Sequence, residues 1–281
     1  MTSEHEKYWS SSYEERQSFL KELYNKRDAT DPYATSRDGD QRELEISAIR
    51  KVLLNVAPGY MVDLGCGNGY TLISVAVDLA GWRMEGVDLS DKLIDGANTI
   101  LEGSRSALKS ELSFQCGDAI MFVKDIPAGT ADVILTERFL LNLPGKDLQH
   151  AVIADIHRAL RPGGLLLMCE ASKTGFTELN RLRAAVGLEI TAETSADNIS
   201  AIRFDDEEIE RHASSIGFQL VAKEGFSLFF AISRVFYPAM ISPEAPKFNS
   251  KANKLARKIQ ESLPLQPGIG SNVLWTLRKM D

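Results

Sequence analysis

Cysteine is scarce in this sequence, with three residues in 281, at positions 66, 116 and 169. Their number is odd, their spacing matches no metal-ligand pattern, and they sit in apolar stretches. A disulfide framework is therefore excluded, no metal is expected, and reduced thiols in a cytoplasmic protein are. Long apolar runs are also missing. The most apolar window, FSLFFAISRVFYPAMI (226–241), is broken by Arg234 and too short to cross a bilayer. The opening MTSEHEKYWSSSYEERQ has no apolar h-region, so no secretory leader is expected. Positive charge is in deficit: 32 Lys and Arg against 39 Asp and Glu leave a net charge of −7. That balance disfavours a general nucleic-acid binder, because neutralising phosphates needs a basic face. What remains is the composition of an ordinary globular protein, 44% apolar and 25% charged.

From about residue 46 the hydrophobic pattern alternates between helical and strand periods. ELEISAIRKVLLNV (43–56) puts Leu44, Ile46, Ile49, Leu53 and Val56 near one helical face, and APG ends it. YMVDLG (60–65), RMEGVDLS (83–90), LSFQCGDA, ADVILTERF (131–139) and LLLMCEAS (165–172) read as five strands. Helices are expected between them: one over 70–81, one N-capped by Ser90, and one stopped by Pro-Gly-Gly at 162–164. This rhythm predicts a parallel sheet covered on both faces. After Ser172 come two helices around the polar loop TAETSADNIS, a sixth strand over 218–226 and a last strand over 272–279. About 45 residues separate these two strands where a hairpin needs about two to five. An aromatic-rich insertion of that length points to function.

VDLGCGNG (62–69) is a strand running into a loop with glycine at every second position. Dinucleotide-binding loops read G-x-G-x-x-G/A, but here Tyr70 stands at the third small position. Asp63, two residues before the glycines, would face a pyrophosphate with like charge and would instead favour a cation. S-adenosylmethionine has a sulfonium and an ammonium and no phosphate, so the loop suits it better than a nicotinamide dinucleotide.

VDLGCGNG followed by GVDLS, CGDA and RALRPGG, in that order on successive strands over about residues 60–172, resembles the class I S-adenosylmethionine-dependent methyltransferases. The resemblance implies a Rossmann-like α/β fold, with a doubly wound, mostly parallel seven-stranded sheet and helices on both faces. Residues 1–45 would be an N-terminal lid segment. Residues 46–281 would be the methyltransferase domain, with cap insertions at about 173–215 and 227–271. The implied cofactor is S-adenosylmethionine, giving S-adenosylhomocysteine. Its site would use Asp63, Gly65, Cys66 and Gly67 in the loop. Asp88 would take the ribose hydroxyls, Leu89 would lie against adenine, and Gly117, Asp118 and Ala119 would sit at the adenine amino group. Thr136 and Glu137 would stand near the methionine end, Arg42 at its carboxylate, and Tyr33 in the lid. Two bland alternatives stand beside these: Asp118 as a helix N-cap, and Arg42 as an exposed charge at a helix start.

Methyl transfer requires alignment in a dry pocket and often a general base. Four histidines are present. His5 is in a polar tail, while His150, His157 and His212 are on helices where packing or surface roles are expected. Glu137 and Glu170, ending strands four and five, are the candidate catalytic carboxylates. Arg138, Asn142, Asn180, Arg183, Phe229 and Tyr237 are candidates for the acceptor site. Glu137 and Arg138 are as readily read as partners of each other, and the aromatic insertion as a packed helix that Pro238 ends or kinks. PKFNSKANKLARKIQESL (246–263) reads as a basic helix with a solvated face. TERF after strand four lacks the Asn/Asp-Pro-Pro-Tyr/Phe of adenine and glutamine amino-methyltransferases. The expected acceptor is oxygen or nitrogen of a small organic molecule or glycan. A non-catalytic S-adenosylmethionine-binding protein of the same fold is the alternative.

Overall fold

The computed structural model describes residues 4–193 and 200–281. Seven strands, β1 (Tyr60–Leu64), β2 (Arg83–Asp88), β3 (Glu111–Cys116), β4 (Ala131–Glu137), β5 (Leu160–Ala171), β6 (Phe218–Gly225) and β7 (Asn272–Lys279), form one sheet in the order β3-β2-β1-β4-β5-β7-β6. β7 runs antiparallel to both β5 and β6, and the other pairs are parallel. The described helices are α1 (Glu4–Ser10), α2 (Tyr13–Asn25), α3 (Gly39–Leu53), α4 (Tyr70–Asp78), α5 (Asp91–Ser104), α6 (Ala119–Asp125), α7 (Lys146–Ala159), α8 (Lys173–Ala185), α9 (Asp206–Ser215), α10 (Ser227–Ala231), α11 (Tyr237–Met240) and α12 (Lys251–Glu261).

Strand residues alternate between two apolar layers, as the two-residue period of a pleated strand requires. Val62, Leu64, Ile134, Leu166 and Met168 join Ile120, Ile153, Ile156 and Ile209 of α6, α7 and α9. Met61, Val133, Leu135, Leu165 and Leu167 join Leu44, Leu72, Val75, Leu179, Phe229 and Ala256 of α3, α4, α8, α10 and α12. The chain starts in the middle of the sheet at β1, works outward through β2 and β3, then returns to β4 on the other side of β1. The crevice beyond the carboxyl ends of β1 and β4 is the point where ligands bind in open sheets of this kind.

Three boundaries differ from the sequence expectation. α3 begins at Gly39, because Asp38 caps it by accepting from the Gln41 amide at 3.2 Å. β5 begins at Leu160, so Pro162, Gly163 and Gly164 lie within an irregular strand start whose register against β4 shifts between Ala131 and Val133. Pro238 does not end its helix. The five residues Ile232–Phe236 form a π turn leading directly into α11, and widening the helix there relieves the missing amide and ring clash of proline. Part of the polar loop expected before the ninth helix, residues 194–199, lies outside the described residues.

The insertion between β6 and β7 packs beside α3. Buried Asn253 of α12 donates to Asp38 at 2.8 Å and Asp40 at 3.2 Å, and Arg234 pairs with Asp38. The aromatic run supplies core: Phe226 and Phe229 are both fully enclosed.

Candidate functional site

A cavity of about 240 Å³ opens at the sheet's reversal point, floored by the ends of β1, β2, β4, β5 and β7 and roofed by α1 and α2. Its wall includes eleven of the residues expected from sequence: Arg42, Gly65, Cys66, Gly67, Asp88, Leu89, Asp118, Ala119, Glu137, Arg138 and Asn142.

Over β2 and β3, Asp88 accepts from the Gly67 amide and the Ser90 amide, each at 2.9 Å. One carboxylate thus fixes both the glycine loop and the start of α5, and each oxygen keeps a lone pair for a further donor. Gly67 has φ +57°, and a Cβ there would come within 2.8 Å of Thr35, so the loop can approach its neighbours only as glycine. Asp118 caps α6 through Ile120 at 2.8 Å, and its second oxygen accepts from Gln17 of α2 at 2.9 Å. The cap and the cavity wall are therefore one side chain. Gly117 is behind the wall, its amide bound to the Asp88 carbonyl at 2.9 Å.

Next to this, α3 contributes Arg42 and Glu45, three residues apart and so on one helical face. Arg42 is 1% exposed; its guanidinium bonds Thr35 and, at 3.5 Å, Thr71, while its Nε donates to nothing among the described residues. Asp63, 1% exposed and just behind the wall, has an Oδ1 without a hydrogen-bond partner among the described residues. Burial, reinforced by the charge of Glu137, pushes the Asp63 carboxyl well above the usual range, against the pull of Arg42. Burial also acts on Glu137, but Arg138 and Arg42 outweigh it and hold this carboxyl below its ordinary value. Glu137 accepts from Thr71 at 2.6 Å and from Arg138 at 2.7 Å. Arg138, a non-glycine residue at φ +57°, also pairs with buried Glu45, which in turn accepts from Asn272 at 2.7 Å. The set Arg42, Arg138, Glu45, Glu137 and Asp63 carries one negative charge in excess when all are ionised. A buried site of that balance favours a zwitterion with an added positive charge.

Glu170 is fully enclosed and not on the wall. It accepts from the amides of Phe139 at 3.1 Å, Leu140 at 3.0 Å and Leu141 at 3.2 Å. Burial raises its carboxyl to about 7 against these three bonds. It holds the turn after β4 in place, and that turn carries Asn142 to the wall. Thr136 is buried within β4, and Tyr33 stacks edge-on against Tyr70 with 6.1 Å between ring centres. Asn180 clasps Thr191 through two 2.9 Å bonds, and Arg183 bonds the carbonyls of Glu189 and Arg234. Phe229 is in the core and Tyr237 in α11. None of these six lines the cavity.

The sequence led to the expectation of a lid segment over residues 1–45 but named none of the α1 and α2 side chains that form the roof. Tyr13, Gln17, Leu20 and Tyr24 of α2, spaced four, three and four apart, present one helical face to the cavity, joined by Tyr8 of α1. The capping box Ser12-x-x-Glu15 was the available signal for this helix. Ala201, Arg203, Ser271 and Asn272 complete the wall over β5 and β7 and carry no motif.

Residues 61–164 match the family profile described as a methyltransferase domain. Carboxy-S-adenosyl-L-methionine synthase of Shewanella sp. (strain ANA-3) is 33% identical over 110 residues, 38% of this chain and 42% of that protein. The chain thus spans less than half the length of this curated relative. In fold, the chain is similar to magnesium protoporphyrin IX methyltransferase from Synechocystis PCC 6803 with bound S-adenosylmethionine, with a TM-score of 0.59 and 12% identity over 96% of this chain and 99% of that one. It is similar also to an S-adenosylmethionine-dependent methyltransferase from Archaeoglobus fulgidus, with a TM-score of 0.56 and 16% identity over 85% of this chain and 94% of that one.

Proposed function

Because residues 61–164 match a methyltransferase-domain profile and the fold is similar to that of S-adenosylmethionine-dependent methyltransferases, we propose that the chain binds S-adenosylmethionine and methylates oxygen or nitrogen of a small organic acceptor. The observation that carries this reading is a buried guanidinium and a buried carboxyl beside the glycine loop, each with an atom unpartnered among the described residues: Arg42 Nε and Asp63 Oδ1. Leaving buried charge unpaired is costly, and a ligand bearing a carboxylate and an ammonium relieves both at once.

In this reading Arg42 takes the methionine carboxylate, Asp63 the ammonium, Asp88 the ribose hydroxyls and Asp118 the adenine amino group. S-adenosylmethionine supplies a sulfonium methyl, whose C–S bond breaks as the acceptor atom bonds the carbon. Glu137, held ionised by Arg138, keeps negative potential beside the cationic centre. Glu170 acts on Asn142 by fixing the turn between them, and is a positioning residue. Tyr8, Tyr24 and the turn 139–144 exclude water at the far end. The roof of α1 and α2 over the cavity supports a compact acceptor over a long polymer.

A second reading, ligand binding without turnover, draws support from one observation. Two titratable groups of the wall are poorly suited to take a proton: burial lifts the Tyr8 hydroxyl to about 12, and Glu137 is committed to Arg138. Methyl-labelled S-adenosylmethionine incubated with host extract, then fractionated into metabolites, lipids, glycans, nucleic acid and protein, separates the two. Label is expected in the metabolite fraction. Tight cofactor binding with no labelled fraction favours binding without turnover. Mass spectrometry of the spent cofactor should give S-adenosylhomocysteine, and a carboxylated cofactor would instead align the chain with the synthase it resembles over its core.

A further inference from the structure

The cavity wall is unequally charged along its length. Its three carboxylates, Asp88, Asp118 and Glu137, lie over β2, β3 and β4, where the cofactor reading places adenosine and methionine. Beside them the wall also carries Lys21, Arg27, Arg42 and Arg138, while over β5 and β7 it holds Arg203 and no carboxylate. Arg16, on the α2 side of the wall, donates to the carbonyls of Ser11 at 2.9 Å and Trp9 at 3.0 Å. Arg203 is not spent. One Nη donates to the Glu193 carbonyl at 2.6 Å, while its Nε is enclosed and donates to nothing among the described residues. The edge formed by Nε and the other Nη is one of the two edges through which a guanidinium grips a carboxylate with parallel bonds.

Its position is fixed from both sides. The Ile202 amide donates to the Leu141 carbonyl and the Phe204 amide to the Ala171 carbonyl, each at 2.8 Å, so the backbone around Arg203 is tied to the turn after β4 and to the end of β5. The guanidinium lies 3.8 Å from the ring centre of buried Phe176, which orients its plane. Tyr8, which is 3% exposed, also lines the cavity, with Ser200 beside its hydroxyl. Apolar side chains, Phe139, Leu141, Leu143, Pro144, Ala171 and Ala201, surround this end, with Asn142, Ser271 and Asn272 its neutral polar members.

We propose that Arg203 anchors the acceptor and that the acceptor is a small organic carboxylate with an apolar body, its carboxylate on the Nε edge of Arg203 and within reach of the Tyr8 hydroxyl. This rests on the reading that the other end of the cavity takes S-adenosylmethionine. The Nε of Arg203 has no acceptor among the described residues, and a bound carboxylate would supply one.

The test is calorimetric titration of protein preloaded with S-adenosylhomocysteine. The probes are benzoate, phenylacetate, 4-hydroxyphenylacetate and hexanoate, each against its neutral amide. At least one acid should bind about tenfold or more tightly than its amide. Arg203→Met, which keeps an apolar stem against Phe176, should bring the pair to within about twofold while S-adenosylhomocysteine affinity stays unchanged, and Arg203→Lys should restore part of the preference. If no acid outbinds its amide on loaded protein, or if the preference survives Arg203→Met, the proposal is overturned. Failure of S-adenosylhomocysteine to bind appears before any probe is added; it overturns the cofactor reading and this proposal with it.

Discussion

Asp63 and Arg42 illustrate how a binding site stores unfavourable energy in a folded chain. Asp63→Asn removes a carboxylate that burial disfavours. It should raise the melting temperature of the ligand-free protein while weakening S-adenosylhomocysteine binding by about 1.5–3 kcal/mol, the worth of a charged hydrogen bond. Arg42→Ala should weaken binding by a similar amount without the gain in stability, because it leaves Asp63 unopposed. Calorimetry on both variants checks this, and equal affinity in either would remove that residue from the site. Glu170 gives a pH prediction. Its carboxyl moves from 4.5 to about 7 on folding, so the folded state holds the proton more tightly. The stability it contributes is fully present below about pH 4.5 and lost as pH rises through about 7. Glu170→Gln should abolish that portion of the slope, about 3 kcal/mol at most, in urea denaturation between pH 4.5 and 8. It should also lose one of the three amide bonds to the turn 139–141.

At the scale of elements, α2 is the exposed member of the site. It has no fully buried residue, and polar contacts tie it down: Gln17 to Asp118, Lys21 to Asp91, and Asn25 to Asp91 and Ser90. Ser12→Ala removes its capping box and should cost about 1 kcal/mol. Hydrogen exchange should show this as faster exchange in α2 with β1 and β4 unaffected. The same property explains what the sequence disclosed. The parallel strands were legible because strands buried on both faces are apolar throughout, and Gly65, Gly67, Asp88 and Asp118 were legible because close approach and strand ends demand those residue types. The side chains of the roof were not, because α2 is held by polar contacts and buries no residue fully, so it offers no strong apolar stripe to read. Arg203 was illegible for a related reason. It owes its place to the bonds of Ile202 and Phe204, which pattern alone does not reveal. Phe229 misled in the opposite direction, since an aromatic run looks the same in a core as in a pocket.

For the whole molecule, the acidic balance and the cavity make different demands: a net charge of −7 over the chain, and a cavity whose wall carboxylates, Asp88, Asp118 and Glu137, all lie over β2, β3 and β4. Ligand binding to the folded state alone should therefore stabilise the molecule selectively. S-adenosylhomocysteine at about 100 times its dissociation constant should add about 2.7 kcal/mol, read as a rise in melting temperature, while a nicotinamide dinucleotide at equal concentration should add nothing. The order of the sheet has a consequence for how the molecule is made. β7 is the seventh strand in the chain, yet it stands between β5 and β6, with about 45 residues of insertion arriving before it. During synthesis on the ribosome, β5 must wait with an open edge and β6 cannot join the sheet until β7 emerges. Asn272, which tethers the Glu45 of the binding site, emerges at the start of that same strand. A nascent chain halted short of it holds the glycine loop and every carboxylate of the cavity, and still lacks the piece that locks them together.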